Sequence, residues 1–157
     1  MWSLTHESST PRAREVRLLN AEDLLEVEPL FQSVPNFLEE GTTLASIVEA
    51  PDAVAFLVDK IGILVVNGIL PGKYGVAHIT FWDRVLEGRE QLCREVAQFV
   101  MACAGLQFLL TTIPQNRQRL LEFARSVGFV PVEFTESLVV LALMREGEGY
   151  GTRSSDS

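Results

Sequence analysis

The sequence predicts a single α/β domain with a mixed, mostly antiparallel central sheet of six to seven strands and helices on both faces. Hydrophobic periodicity switches repeatedly between two and 3.6 residues along the chain, so strands and helices alternate. The first half carries hairpin punctuation. The second half holds a strand, a long amphipathic helix and another strand, which demands a crossover connection. With 157 residues, 47% of them hydrophobic, the chain has enough apolar material for one core.

Val16 to Leu19 forms the first expected strand, and Asn20 is placed to cap a helix whose apolar positions are Leu24, Leu25, Val27 and Leu30. A second helical stretch, Phe37 to Val48, stops before Pro51. The strands Val54 to Val58 and Ile61 to Val66 are separated by Asp59-Lys60 alone, which fits a tight hairpin. A turn at Pro71-Gly72-Lys73 leads into the strand Gly75 to Trp82. Leu92, Val96, Val100 and Ala104 then recur every fourth residue, with Cys93, Ala97 and Phe99 widening the stripe, so Gly88 to Ala104 is expected to be helical and to stop at Gly105. Phe108 to Ile113 reads as a buried strand and Asn116 to Val127 as a helix with Leu120, Phe123, Ala124 and Val127 on one face and Gly128 at its end. Val130 to Phe134 and Leu138 to Met144 close the fold as an antiparallel pair. The folded domain is expected over 15–145. Residues 1–14 and 146–157 are too polar to bury enough apolar area and are expected to be flexible tails.

Composition removes several classes of function. A net charge of −8, with no dense basic cluster, argues against a nucleic-acid surface driven by phosphate neutralisation. The longest apolar run, Ile61 to Leu70, is broken by Gly62, Asn67 and Gly68, so no membrane span is expected, and the first residues lack the layout of a secretory signal. Cys93 and Cys103 stand ten apart on one expected helix, so they do not face one another and read as free thiols of a reducing compartment. Gly68 to Tyr74 falls one residue short of a phosphate loop and ends on Tyr in place of Ser or Thr. No set of side chains with metal-ligand spacing and no nucleophile elbow is present.

This order of elements resembles that of the GNAT family of acyl-CoA-dependent N-acyltransferases. Thr111-Thr112-Ile113-Pro114-Gln115-Asn116, followed by Leu120 to Phe129, is similar to the family's late motif of a strand, an Asn opening a helix, and a terminal Gly-Phe. The resemblance covers about residues 15 to 145. Within the family it lies closest to phage-encoded GNAT-like proteins, through Ala77-His78-Ile79, Gly88-Arg89 and Phe123 to Phe129.

The resemblance implies acetyl-CoA as co-substrate, held in a V-shaped opening between the strands Gly75 to Trp82 and Phe108 to Ile113. Backbone groups of Ile79, Thr80 and Phe81 would bond the pantetheine amides. The pyrophosphate would rest on the helix that begins near Gly88 and Arg89, where free N–H groups and the helix dipole favour an anion. Asn116 would cap its helix and contact the cofactor. His78 shares one face of its strand with Val76, Thr80 and Trp82, and serves either as the base that deprotonates the amine or as a hydrogen-bonded structural residue. Glu133 and Glu136 flank the last turn and are candidates for contacting an amine substrate; a solvated role is the alternative.

Two departures divide the functional expectation. The position of the family's acidic Tyr is Ala124, and the cofactor loop reads Val85-Leu86-Glu87-Gly88-Arg89-Glu90, retaining the middle Gly only. The chain is therefore expected to be an acetyl-CoA-dependent N-acetyltransferase of the cytoplasm, or alternatively a non-catalytic GNAT-fold structural or interaction protein, such as a phage virion component with protein partners.

Overall fold

A computed structural model describes residues 15–35, 41–83 and 88–147. Residues 1–14 and 148–157, where the tails are expected, lie outside the described residues, as do 36–40 and 84–87. The strands are β1 (Val16–Leu18), β2 (Val54–Val58), β3 (Gly62–Leu70), β4 (Tyr74–Phe81), β5 (Phe108–Pro114), β6 (Val130–Phe134) and β7 (Leu138–Met144). The helices are α1 (Leu24–Gln32), α2 (Leu44–Glu49), α3 (Arg89–Ala104) and α4 (Gln118–Val127), with a 3-10 turn at Ala21–Asp23. The seven strands form one sheet in the order β1-β2-β3-β4-β5-β7-β6, in which β4 and β5 run parallel and β1–β2, β2–β3, β5–β7 and β6–β7 are antiparallel. The expected mixed sheet is thus present, with seven strands. The chain divides into two compact units, residues 1–69 with 77–87 and residues 70–76 with 88–157.

In the first unit the hairpin forms as the sequence predicts. Asp59 and Lys60 both adopt positive φ, 47° and 61°, and Ile61 N–H donates to the Val58 carbonyl at 2.9 Å, the geometry that matches strand twist in a two-residue turn. Asn20 caps the 3-10 turn that leads into α1, accepting from Glu22 N–H, whereas α1 itself has Asp23 at its N-cap with no side-chain cap bond. The Asp23 carboxylate accepts from the Asn20 N–H and forms a bidentate pair with Arg17 at 2.9 and 2.7 Å. The Arg17 guanidinium, and next the Asn20 N–H, hold the Asp23 carboxyl down at about 2.

The α1 stripe differs from expectation. Leu24, Val27 and Phe31 face the core, at i, i+3 and i+7, whereas Leu25 is 90% exposed and Leu30 is also exposed. One turn of helix cannot point both Leu24 and Leu25 inward, since they are separated by about 100°. α2 begins at Leu44, after non-helical residues 41–43, because Thr43 forms a capping box with Ser46 and so sets the start there; residues 37–40 of the expected helix lie outside the described residues. Glu28 of α1 adds a cap that neighbouring sequence does not reveal, accepting from Leu44 and Ala45 N–H at 3.0 and 3.1 Å. These helices bury Val27, Phe31, Leu44 and Ile47 against Ala55 and Leu57 of β2 and Ile63 and Val65 of β3.

The second unit rests on β5, β7 and α4. Ile113, Val139 and Leu141 pack with Ala124, and Leu120, Leu121 and Phe129 close over them. α3 buries Leu92, Val96 and Val100 with Cys93, Ala97 and Met101, two rows at i+4 spacing. Gly105 stops α3 at φ 72°. At the end of α4, Gly128 N–H bonds the Arg125 carbonyl and Phe129 N–H bonds the Ala124 carbonyl, the paired bonds of a Schellman motif. Arg94 adds a cation there, donating to the Val127 and Ser126 carbonyls at 2.9 and 2.6 Å.

Candidate functional site

In the first unit β4 carries four of the expected residues. Alternation puts Val76, His78 and Thr80 on one face, and Trp82, one residue past the strand, continues it. Trp82 packs against the cluster formed by α1, α2, β2 and β3, so His78 and Thr80 face that same layer. The tryptophan is fixed on both sides, by its backbone N–H to Ile61 O at 3.0 Å and by its indole N–H to Lys60 O at 2.9 Å. His78 is half-buried, and desolvation pushes its imidazole below the ordinary histidine value, so it is neutral at pH 7. Thr80 is 7% exposed, the only polar residue in the buried class among the described residues. Ile79 and Phe81 point the other way, and the Phe81 ring covers Gly62.

The parallel ladder of β4 with β5 pairs Tyr74 with Phe108, Gly75 with Leu109 and Val76 with Leu110, and among the described residues it runs no further. β4 itself continues to Phe81 and β5 to Pro114.

In the second unit Gly88 precedes α3 in the left-handed region, φ 70°, and the first helical bond runs from Leu92 N–H to Gly88 O at 2.8 Å. The N–H groups of Glu90 and Gln91 therefore have no acceptor within the helix. Arg89 stands over the Phe123 ring of α4, 5.4 Å from its centroid. Val85, Leu86 and Glu87 of the expected cofactor loop lie outside the described residues.

Asn116 does not cap α4. The chain turns at Gln115-Asn116, Arg117 occupies the N-cap position without a side-chain cap bond, and the helix starts at Gln118. The turn, held by Arg117 N–H to Pro114 O at 3.0 Å, uses the residues that would otherwise open the helix. The side chain that organises this end is Gln115, which sequence reasoning passed over: it donates to Thr135 O at 2.6 Å while its own N–H reaches Ser137 O at 2.9 Å. Gln115 thereby fixes the β6–β7 turn that carries Glu136. Glu133 sits at the β6 irregularity between Pro131 and Glu133, and both glutamates are exposed. Among the described residues, no three His, Cys, Asp or Glu side chains gather as a metal site, and no helix is long and apolar enough to cross a membrane. Both cysteines are free; Cys93 is buried, with desolvation pushing its thiol up to about 12, and Cys103 is exposed.

No family model and no curated protein matches the sequence. Solved structures do match. A dodecameric spermidine N-acetyltransferase from Vibrio cholerae is 13% identical over 90% of this chain and 98% of its own, with a TM-score of 0.65. The GNAT domain of the S. lividans PAT protein is 12% identical over 83% of this chain and 90% of its own, with a TM-score of 0.65. The chain has the GNAT fold. Campylobacter jejuni N-acetyltransferase PseH, solved in complex with acetyl coenzyme A, aligns over 85% of this chain and 99% of its own at 13% identity and a TM-score of 0.62. At such identities the likeness is one of backbone, and within the GNAT frame the chemistry of this chain rests on its own side chains. One of these is Ala124, buried at 7% exposure among Ile113, Val139 and Leu141.

Proposed function

We propose that the chain is an acetyl-CoA-dependent N-acetyltransferase that acts on an amine. The observation that carries this reading is the GNAT fold combined with a β4–β5 ladder that stops at Val76 and Leu110 while β4 runs on through Ile79, Thr80 and Phe81. Backbone groups of those three residues are then suited to the amides of a pantetheine arm. The first turn of α3, entered through Gly88, offers N–H groups and the positive end of a helix dipole to the pyrophosphate, with Arg89 beside it. Asn116, in the turn before α4, is a further candidate contact for the cofactor.

Acyl transfer needs an acceptor for the amine proton, and His78, kept neutral by burial, supplies one. Glu133 and Glu136 are exposed where a charged part of an acceptor could be steered. The departing thiolate requires little help, because a thiol of pKa near ~8.5 leaves readily at neutral pH. Saturating acetyl-CoA is expected to stabilise the protein by about 2.7 kcal/mol at ~100 times its dissociation constant. An unchanged melting temperature at millimolar acetyl-CoA overturns the proposal.

A second reading, a non-catalytic GNAT-fold structural or interaction protein such as a virion component, is favoured by the outer strand β6. Val130, Val132 and Phe134 are 59, 58 and 68% exposed on this terminal strand of the sheet, with Val130 paired to Ala142 on one face and Phe134 to Val139 on the other, so apolar side chains are open on both faces. Acetyl-CoA binding without release of free thiol in the presence of any amine supports this second reading.

A further inference from the structure

Thr80 and His78 present a problem in polar accounting. The Thr80 side chain is more than nine-tenths buried, yet among the described residues its hydroxyl has no hydrogen-bond partner, and neither has the His78 imidazole. A buried hydroxyl left unpaired is costly, and native structures rarely retain one without a use. The two residues stand two apart on one strand face, which places their Cβ atoms about 7 Å apart. One small polar group can bridge that span by bonding to both.

The layer they face is apolar: Val27, Phe31, Ile47 and Val65 lie in it, with Trp82 at its rim. The Glu28 carboxylate of α1 already accepts from two N–H groups of α2 and from Gln32. Desolvation is the cause that lowers His78, and no carboxylate among the described residues opposes it. An ammonium entering here would lose its hydration and meet no counter-charge among the described residues.

We propose that His78 and Thr80 together receive the acceptor amine, and that the acceptor is a weakly basic amine on an apolar body, of the arylamine class, rather than a polycation. The Thr80 hydroxyl accepts one N–H bond and orients the nitrogen lone pair, and the His78 imidazole accepts the other N–H. During transfer the nitrogen forms a bond to the acetyl carbon of acetyl-CoA as the carbon–sulfur bond breaks. The amine proton passes to His78 and on to solvent, and the thiolate takes one proton back, giving the N-acetyl product and free CoA thiol. This assignment rests on the acetyltransferase reading, and it selects among acceptors.

The test uses the full chain and NMR of the imidazole, since the sequence has two histidines and His6→Gln identifies His78 by elimination. Titration with 4-methylaniline, in the absence and in the presence of CoA, is expected to shift the His78 resonances, and spermidine at the same concentrations to leave them unmoved. Thr80→Val is expected to raise the melting temperature, by removing an unpaired buried hydroxyl, and to weaken 4-methylaniline binding at least about tenfold, the scale of one lost hydrogen bond. Thr80→Ser, which keeps the hydroxyl, is expected to bind within about threefold of the parent, less than that loss. Three results overturn the assignment: His78 unmoved by 4-methylaniline under both conditions, an equal response to spermidine, or Thr80→Val binding as the parent does. A chain that ignores CoA but shifts His78 with 4-methylaniline overturns the acetyltransferase reading and leaves the amine site standing.

Discussion

Replacing Gly62 by alanine puts a methyl group against an aromatic ring and a backbone carbonyl that already fill the space. A Cβ built on this backbone lies 2.6 Å from Phe81 Cδ1 and 2.7 Å from the Thr80 carbonyl oxygen, with Phe81 Cε1 at 3.1 Å. The phenyl ring can rotate away at some cost in packing. The carbonyl cannot, since it belongs to the neighbouring strand, and relief requires β3 and β4 to separate by several tenths of an ångström. Overpacking of this kind costs about 1–3 kcal/mol. Against it stands the gain from a less flexible unfolded chain, about 0.4–1 kcal/mol for glycine to alanine. Gly62→Ala is therefore expected to destabilise by about 1–2 kcal/mol, which for a chain of this size lowers the melting temperature by roughly 2–8 °C.

Thermal and urea unfolding followed by circular dichroism measure this directly, and a second variant separates the two contacts. Gly62→Ala combined with Phe81→Leu removes the ring contact and keeps the carbonyl contact, so only part of the loss should return. A Gly62→Ala protein as stable as the parent refutes the reasoning. So does complete recovery in the double variant, which would show that the backbone contact costs nothing.

Native protein should expose one fast-reacting thiol to a disulfide reagent, Cys103, and a second only on unfolding, because Cys93 is buried with its thiol pushed up to about 12; Cys103→Ser should abolish the fast phase. Glu28→Ala removes the acceptor for Leu44 and Ala45 N–H and is expected to cost about 1–2 kcal/mol in urea unfolding, with Glu28→Gln losing less because one amide oxygen remains. Asp23, lowered from 3.8 to about 2, contributes stability that is complete above pH 3.8 and lost as pH falls towards 2, so Asp23→Asn should flatten the stability profile in that window. His78 has a lowered folded value, so its contribution is complete above pH 6.5 and declines as pH falls below it; His78→Gln should remove that slope from denaturation curves taken between pH 7 and 5.

What could be read from the sequence was whatever neighbouring residues decide. Asp59-Lys60 between two apolar runs leaves the backbone few choices, and the hairpin formed there. Gly105 and Gly128 end helices because no side chain need be accommodated at positive φ. The errors arose where distant residues decide. The start of α2 is set by Thr43 with help from Glu28, sixteen residues before Leu44, and no local pattern announces it. Asn116 looks like a cap by type, but the turn made with Gln115 shifts the helix start past it. Gln115 itself carried no signal, since its role depends on the carbonyls of Thr135 and Ser137, twenty and more residues later. At the candidate site, His78 and Thr80 could be put on one face from alternation, but the unpaired state of the hydroxyl required the three-dimensional neighbourhood.

Ala124 bears on how the two functional readings should be separated. Its side chain is committed to the core of the second unit, and its carbonyl receives the Phe129 N–H that closes α4, so no rearrangement of this residue restores an acid. General acid catalysis contributes about 10²–10⁴-fold, and less where the leaving group is already a stable thiolate. An acetyltransferase built on these residues would consequently be slow, not inert. A low turnover number then cannot distinguish a weak enzyme from a protein that kept the fold and lost the chemistry. The amine does distinguish them: a weak enzyme loses its residual rate when the Thr80 hydroxyl is removed and keeps it in Thr80→Ser, whereas background aminolysis of acetyl-CoA ignores both substitutions.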